Sequence, residues 1–206
     1  MKNVRLSRLI KVSLLSVIGF LLMYIELPLP LFPEFLKIDV SDLPALVGTF
    51  ALGPIEGVVI ELIKNILHGL FATKTAFVGE LANFIVGSAM ILTAGFVYKN
   101  KKNKKSAVVG LAIATVVMSI VAGVCNYYIF LPLYEKVLHI PLAAFVQLAQ
   151  KVNPAITNIN TFIIWSIIPF NFIKGIFVSI ITAAIYKSVS PILHEESVNK
   201  ELAKNN

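Results

Sequence analysis

Between Phe162 and Tyr186 the only charged residue is Lys174, in the stretch PFNFIKGIF at 169–177. An ammonium at the centre of a membrane helix costs roughly 2.5–3.5 kcal/mol on insertion scales, and such a group usually faces the bundle interior or a cavity. Lys174 is therefore expected to point inward, either to pair with another helix or to meet a ligand. Asn171 lies three residues earlier on the same helical face, so an amide and a cation converge on one point. Pro169, two residues before it, lacks an N–H and frees a carbonyl. Asn83 in GELANFIVG, and Asn126 and Tyr127 in VCNYYIFLP, add hydrogen-bonding groups to other apolar segments. Amides and one cation among Tyr127, Tyr128, Phe130, Trp165, Phe170 and Phe172 suit a planar solute of little charge with polar edges. Rings stack on the faces of such a solute and amides read its edge.

Other groups point to structure before chemistry. Glu61 and Lys64 stand three apart and are expected to pair along one helix, with Asn65 and His68 on the same surface. His68 reads as a surface or packing residue. HGLFATKT at 68–75 lacks the second glycine of a phosphate-binding loop, and no strand precedes it. There is no His-Glu-x-x-His and no Gly-x-Ser-x-Gly, so neither a zinc-protease nor a serine-nucleophile motif is present. The single cysteine, Cys125, rules out a disulfide within the chain. The pattern favours a solute binder over a membrane enzyme. A ligand-free scaffold would instead use Asn171 and Lys174 for folding alone. Nothing resembles a motor for uphill transport.

The elements that carry these residues are apolar spans. Of 206 residues 57% are hydrophobic and only 14% charged, where a soluble domain carries about 25% charged residues. The lipid bilayer is thus the expected solvent. The formal charge of +7 gathers at Lys2, Arg5, Arg8 and Lys11 and again at Lys99, Lys101, Lys102, Lys104 and Lys105. Because both clusters flank apolar spans, they read as positive-inside anchors and not as a nucleic-acid surface. Leu6–Ile25 is expected to be a retained first span rather than a cleaved leader. Pro28, Pro30 and Pro33 then stiffen a loop that carries Glu26, Glu34, Lys37 and Asp39 and could serve as a lid. Further segments run over Leu43–Leu52, Ile55–Phe71, Val78–Tyr98, Ser106–Leu133 and Thr161–Lys187, with a polar connector over Glu135–Asn160. Both basic clusters lie on the cytoplasmic side only if the short second segment crosses. The expectation is an all-α integral membrane protein of six transmembrane helices with both termini cytoplasmic. Residues 1–191 form a single domain and residues 192–206 a solvated tail.

Four stretches, FLKIDVSDLPALVGTFALGPIEGVVIELIKNILH, GELANFIVGSAMILTAGFVYK, NYYIFLPLYEKVL and IIPFNFIKGIFVSIITAAIYK, strongly resemble the riboflavin-specific S component of energy-coupling factor (ECF) vitamin transporters. The resemblance runs from about Lys11 to Pro191. It implies the S-component fold in a bacterial plasma membrane, with no cofactor because riboflavin is bound as cargo. It implies as partners a transmembrane T component and two ATP-binding-cassette ATPases, which would supply the missing motor. It implies a pocket near the outer face, between the last three helices and the first outer loop. Carried over by motif, the pocket residues are Asn126, Tyr127, Asn171 and Lys174, with Glu80, Asn83, Asp39 and Asp42. FMN, or another vitamin on the same fold, is the alternative ligand, with Lys64 and Lys74 as extra cations for a phosphate. Members often dock through an Ala-x-x-x-Ala patch on the first helix. This chain has Ser13, Ser16 and Gly19 there, which makes Ser16 and Gly19 the expected docking pair, with ordinary packing as the other reading.

Overall fold

A computed structural model describes residues 2–202, with side chains described over 5–186. The fold is helical throughout, apart from one two-residue strand pair. Helix α1 (Lys2–Leu22) leads into the proline-rich loop, where β1 (Leu27–Pro28) and β2 (Lys37–Ile38) pair antiparallel, Leu27 opposite Ile38. Helices α2 (Asp42–Leu52) and α3 (Pro54–Ala72) meet at Gly53, whose φ of 128° only glycine adopts easily, and Pro54 opens α3 with its φ preset. Helices α4 (Val78–Lys99) and α5 (Lys104–Cys125) follow, with Asn103 capping α5 through the Ser106 amide.

Two π-helical turns interrupt the second half. Asn126–Phe130 separates α5 from α6 (Leu131–Leu138), and Ile163–Ile167 separates α8 (Ile159–Phe162) from α9 (Ile168–Leu202). Each is followed, two residues beyond, by a proline: Pro132 and Pro169. A proline ring clashes with the carbonyl four residues back and donates nothing to it, and the widened turn makes room. The turns touch each other across the bundle. Between them, the segment expected to be a polar connector contains α7 (Leu142–Gln150). The sequence LAAFVQLAQ explains it, since its apolar residues follow a helical period.

The core lies where α4 crosses α5, α2 and α3, around Leu46, Ile60, Met90, Ile91, Ala94, Leu111 and Met118. Three helical stretches among the described residues are long and apolar enough to cross a membrane: Val78–Lys99, Lys104–Leu138 and Ile159–Tyr186. Helix α1 begins with four basic residues in ten, α2 has 11 residues, and α3 carries Glu56, Glu61 and Lys64, so these are weaker spans by composition. The expected tail, 192–206, has no described side chains, and 203–206 lie outside the described residues.

Candidate functional site

The proline-rich loop folds back over the bundle. Phe32 meets Phe170 of α9 edge-on at 5.5 Å between ring centroids, and Phe35 meets Phe145 of α7 at 5.5 Å and Phe162 of α8 at 6.2 Å. Lys37 pairs with Glu26 at 2.6 Å and closes the base of the small hairpin. This docking carries Asp39 to α9, where its Oδ2 accepts a hydrogen bond of 3.0 Å from Lys174 Nζ. Asp42, the first residue of α2, lies 3.3 Å from the same ammonium. Lys174 thus points inward, as its cost in lipid requires, and its side chain is 8% exposed.

The network continues inward through Ser41 and Lys64. The Ser41 amide and hydroxyl both donate to Asp39 Oδ1. Lys64 Nζ donates to Ser41 Oγ at 2.7 Å, contacts Asp42 Oδ1, and lies 2.9 Å from Glu61 Oε1. Asn65 Nδ2 donates to the same Glu61 oxygen at 3.1 Å and to the Glu61 carbonyl. The i,i+3 pair of Glu61 and Lys64 therefore exists, but as one link of a buried chain joining α3, α2, the loop and α9.

The two asparagines expected beside Lys174 share one geometry. Asn171 Nδ2 donates to the Ile167 carbonyl and Asn126 Nδ2 to the Ala122 carbonyl, both at 2.8 Å. Each thereby ties off a carbonyl four residues back at a π turn and keeps its Oδ1 as an acceptor. Asn126 opens the first π turn, and Asn171 donates to the carbonyl of Ile167, which ends the second. Such turns recur at functional sites because they redirect side chains out of the helical register. Tyr127 is 39% exposed, packs edge-on against Tyr128, and lines a cavity of about 420 Å³ with Leu142, Asn158, Ile159 and Asn160. Asn158 and Asn160 were not among the expected site residues. Asn158 carries one sequence signal, the Asn-x-x-Thr capping box that it forms with Thr161.

Glu80 belongs to a second polar cluster. Its carboxylate pairs with His68 Nδ1 at 2.9 Å and accepts from Thr73 and Thr75 hydroxyls at 3.0 Å each. This fastens the 73–77 turn between α3 and α4, where Ala76 and Phe77 take positive φ and the Phe77 ring fills the space over Gly69. Glu80 and Asn65 are the polar residues of an otherwise apolar cavity of about 300 Å³ lined by Leu62, Ile66, Phe77 and Phe84. His68 is hence a packing partner with a specific acceptor. Asn83 is half-buried one turn beyond Glu80.

The docking expectation at Ser16 and Gly19 needs correction. Ser16 is fully buried with its hydroxyl bonded to the Val12 carbonyl, and a Cβ on Gly19 would lie 3.3 Å from both Lys64 Cδ and the Ser41 carbonyl. Both residues face inward, so their small size lets α1 pack over Lys64. A spacing of three marks one helical face without saying which way it looks. The outward face of α1 presents Leu14, Val17, Ile18 and Leu21.

The family model for the ECF transporter substrate-specific component matches residues 7–186. This chain belongs to that family. It is accordingly a multi-pass cell-membrane protein and a transporter subunit, not an enzyme. Among its relatives is the riboflavin transporter RibU of Staphylococcus aureus, 42% identical over 91% of this chain and 92% of that one. The riboflavin transporter FmnP of Bacillus subtilis is 34% identical over 93% and 96% of the two chains. A solved structure of the S component of a bacterial ECF transporter superposes with a TM-score of 0.73 at 38% identity, covering 94% of this chain and 99% of that one. The S component therefore has the all-helical fold of its family.

Proposed function

We propose that this S component binds riboflavin and confers riboflavin specificity on an ATP-driven ECF transporter. The observation that carries this reading is identity of 42% and 34%, over more than nine-tenths of every chain compared, to two proteins named as riboflavin transporters. The site supports it. Lys174 Nζ offers a donor to a ring carbonyl, and the Oδ1 atoms of Asn126 and Asn171 offer acceptors to a ring N–H. Tyr127 and the neighbouring rings supply stacking surface. Asp39 and Asp42 hold Lys174 in place, while Glu80 and Asn83 act from α4, Glu80 by anchoring the 73–77 turn. Riboflavin is cargo here, and no cofactor is assigned.

A neutral solute fits these electrostatics better than FMN does. Lys174 is balanced by Asp39 and Asp42, and Lys64 is buried among Asp42, Glu61 and Ser41. Neither is left over for a phosphate, and Lys74 sits exposed on the 73–77 turn. The chain crosses the membrane six times with both termini in the cytoplasm, α2 being the thin crossing shielded by its neighbours. Residues 1–191 act as one domain with a solvated tail at 192–206. Its partners are a transmembrane T component and two ATP-binding-cassette ATPases. The test is competition at equilibrium: purified protein quenches riboflavin fluorescence stoichiometrically, and excess FMN fails to reverse the quenching. Equal displacement by FMN would refute the specificity, and no quenching by folded, flavin-stripped protein would remove the vitamin altogether.

A further inference from the structure

The buried network contains an odd charge. Asp39, Asp42 and Glu61 contribute three carboxyl groups, whereas Lys64 and Lys174 contribute two ammonium groups. Among the described residues, the charged side chain paired with Glu61 is Lys64. α4 brings Gly87, whose missing side chain is what makes room: a Cβ there would stand 2.6 Å from Glu61 Oε1. α1 brings Gly19 against Lys64, and α3 itself brings Asn65. An unbalanced charge in so buried a place is expensive, and a carboxyl group normally takes a proton instead of bearing it.

The hydrogen bonds say which carboxyl group that is. Asp39 receives donors on both oxygens, Ser41 on Oδ1 and Lys174 on Oδ2. Asp42 faces Lys64 with Oδ1, and its Oδ2, although it accepts no hydrogen bond, has the Lys174 ammonium 3.3 Å away. Glu61 is different. Lys64 and Asn65 both converge on Oε1, and Oε2 is buried with no partner. An ionised carboxylate draws donors to both oxygens, but a carboxylic acid accepts on its carbonyl oxygen and donates from the other. Asn65 Oδ1, one turn along the same helix, is also buried and unpartnered. We propose that Glu61 is a proton-binding site: Oε2 holds one proton, which leaves the cluster neutral with Asp39 and Asp42 matched to Lys64 and Lys174.

The proton bears on transport because of where Lys174 stands. While Glu61 is neutral, Lys174 is held by Asp39 and Asp42 alone and can share its remaining donors with a solute. Loss of the proton adds a third carboxylate to the pull on both lysines and strengthens their hold against the ligand. Resting on the riboflavin reading, this makes affinity fall once the pH is high enough to deprotonate Glu61, and Glu61→Gln abolishes that fall.

Infrared spectroscopy of the purified full-length protein tests the site without reference to the vitamin. Wild type at neutral pH shows the carbonyl stretch of a protonated carboxylic acid, shifted in D2O. The band is lost in Glu61→Gln, and it is lost in Asp39→Asn as well, because the two remaining carboxyl groups then match the two ammonium groups and Glu61 ionises. If Glu61→Gln does not fold, Glu61→Asp, which keeps an acid in a different position, displaces the band. Absence of the band from wild type, or its persistence unchanged in the Glu61 variants, overturns the proposal. So does thermal stability that rises with sodium while the band is missing, which would put a metal cation where the proton is assigned. Failure of riboflavin to bind while the band behaves as expected would count against the vitamin only.

Discussion

The two ends of the helix bundle solve the problem of buried polarity in opposite ways. At the loop end, five charged side chains from α2, α3, α9 and the proline-rich loop are held against one another under Phe32, Phe35 and Phe170. At the other end the polar contact in the interior is neutral: Tyr98 of α4 and Tyr186 of α9 share a hydrogen bond of 2.9 Å, with the Phe50 ring 4.7 Å from Tyr98 and 6.0 Å from Tyr186. At the rim there, Arg8 of α1 pairs with Glu56 at 3.0 Å and donates to the Leu52 carbonyl at the α2–α3 break. A neutral aromatic knot has a single good arrangement. A charged cluster has several of similar energy, since each ammonium has three donors and more than one carboxyl to choose from.

The largest effect is expected where charge is deepest. Lys64→Met leaves Asp42 and Glu61 facing each other without a cation, and breaking a buried pair in this way costs about 3–5 kcal/mol. Thermal unfolding in detergent reads it as a large drop in midpoint, with Lys64→Arg recovering less than wild type because a forked head must fit a space shaped for an ammonium. Next come the asparagines: Asn171→Ala or Asn126→Ala removes the acceptor offered to the vitamin and the side-chain bond to the Ile167 or Ala122 carbonyl, each worth about 0.5–1.5 kcal/mol. Riboflavin titration should show affinity reduced by up to about tenfold, with stability lowered by about 1 kcal/mol. Tyr186→Phe deletes one neutral hydrogen bond and should cost about 1 kcal/mol in stability while leaving riboflavin affinity alone. If it weakened binding as much as the asparagine changes do, the two ends would not be independent. Smallest is Arg8→Ala. Its partner contact is half exposed, with side-chain exposures of 46% and 20%, so the ion pair contributes at most about 1 kcal/mol and fades as salt is raised.

What the sequence disclosed follows the same division. Helical periodicity and the cost of a lysine in lipid were enough to place Lys174 inward and to pair Glu61 with Lys64, because both are arguments about one helix. The partner of Lys174 is Asp39, 135 residues away, and no periodicity connects them. The resemblance to the family brought Asp39 and Asp42 forward, though as ligand contacts and not as counter-charges. Pro132 and Pro169 were visible as helix disturbances, but a proline alone does not distinguish a kink from the widened turns that aim Asn126 and Asn171. Ser16 and Gly19 show the limit most plainly: small residues at a spacing of three suit a partner's helix and this chain's own α3 equally well, and only the position of Lys64 decides. Glu80 with His68 was missed as a pair because their contact depends on how the 73–77 turn folds.

The central claim is that Lys174, although already paired with two carboxylates, is a donor to the transported vitamin. Riboflavin fluorescence titration of Lys174→Ala beside wild type, with folding checked by circular dichroism, tests it most directly. A lost hydrogen bond from a charged donor is worth about 1.5–3 kcal/mol, so affinity is predicted to fall by roughly 10- to 100-fold in a protein that remains folded. Wild-type affinity in folded Lys174→Ala would contradict the claim and reduce Lys174 to a strut between α9 and the loop.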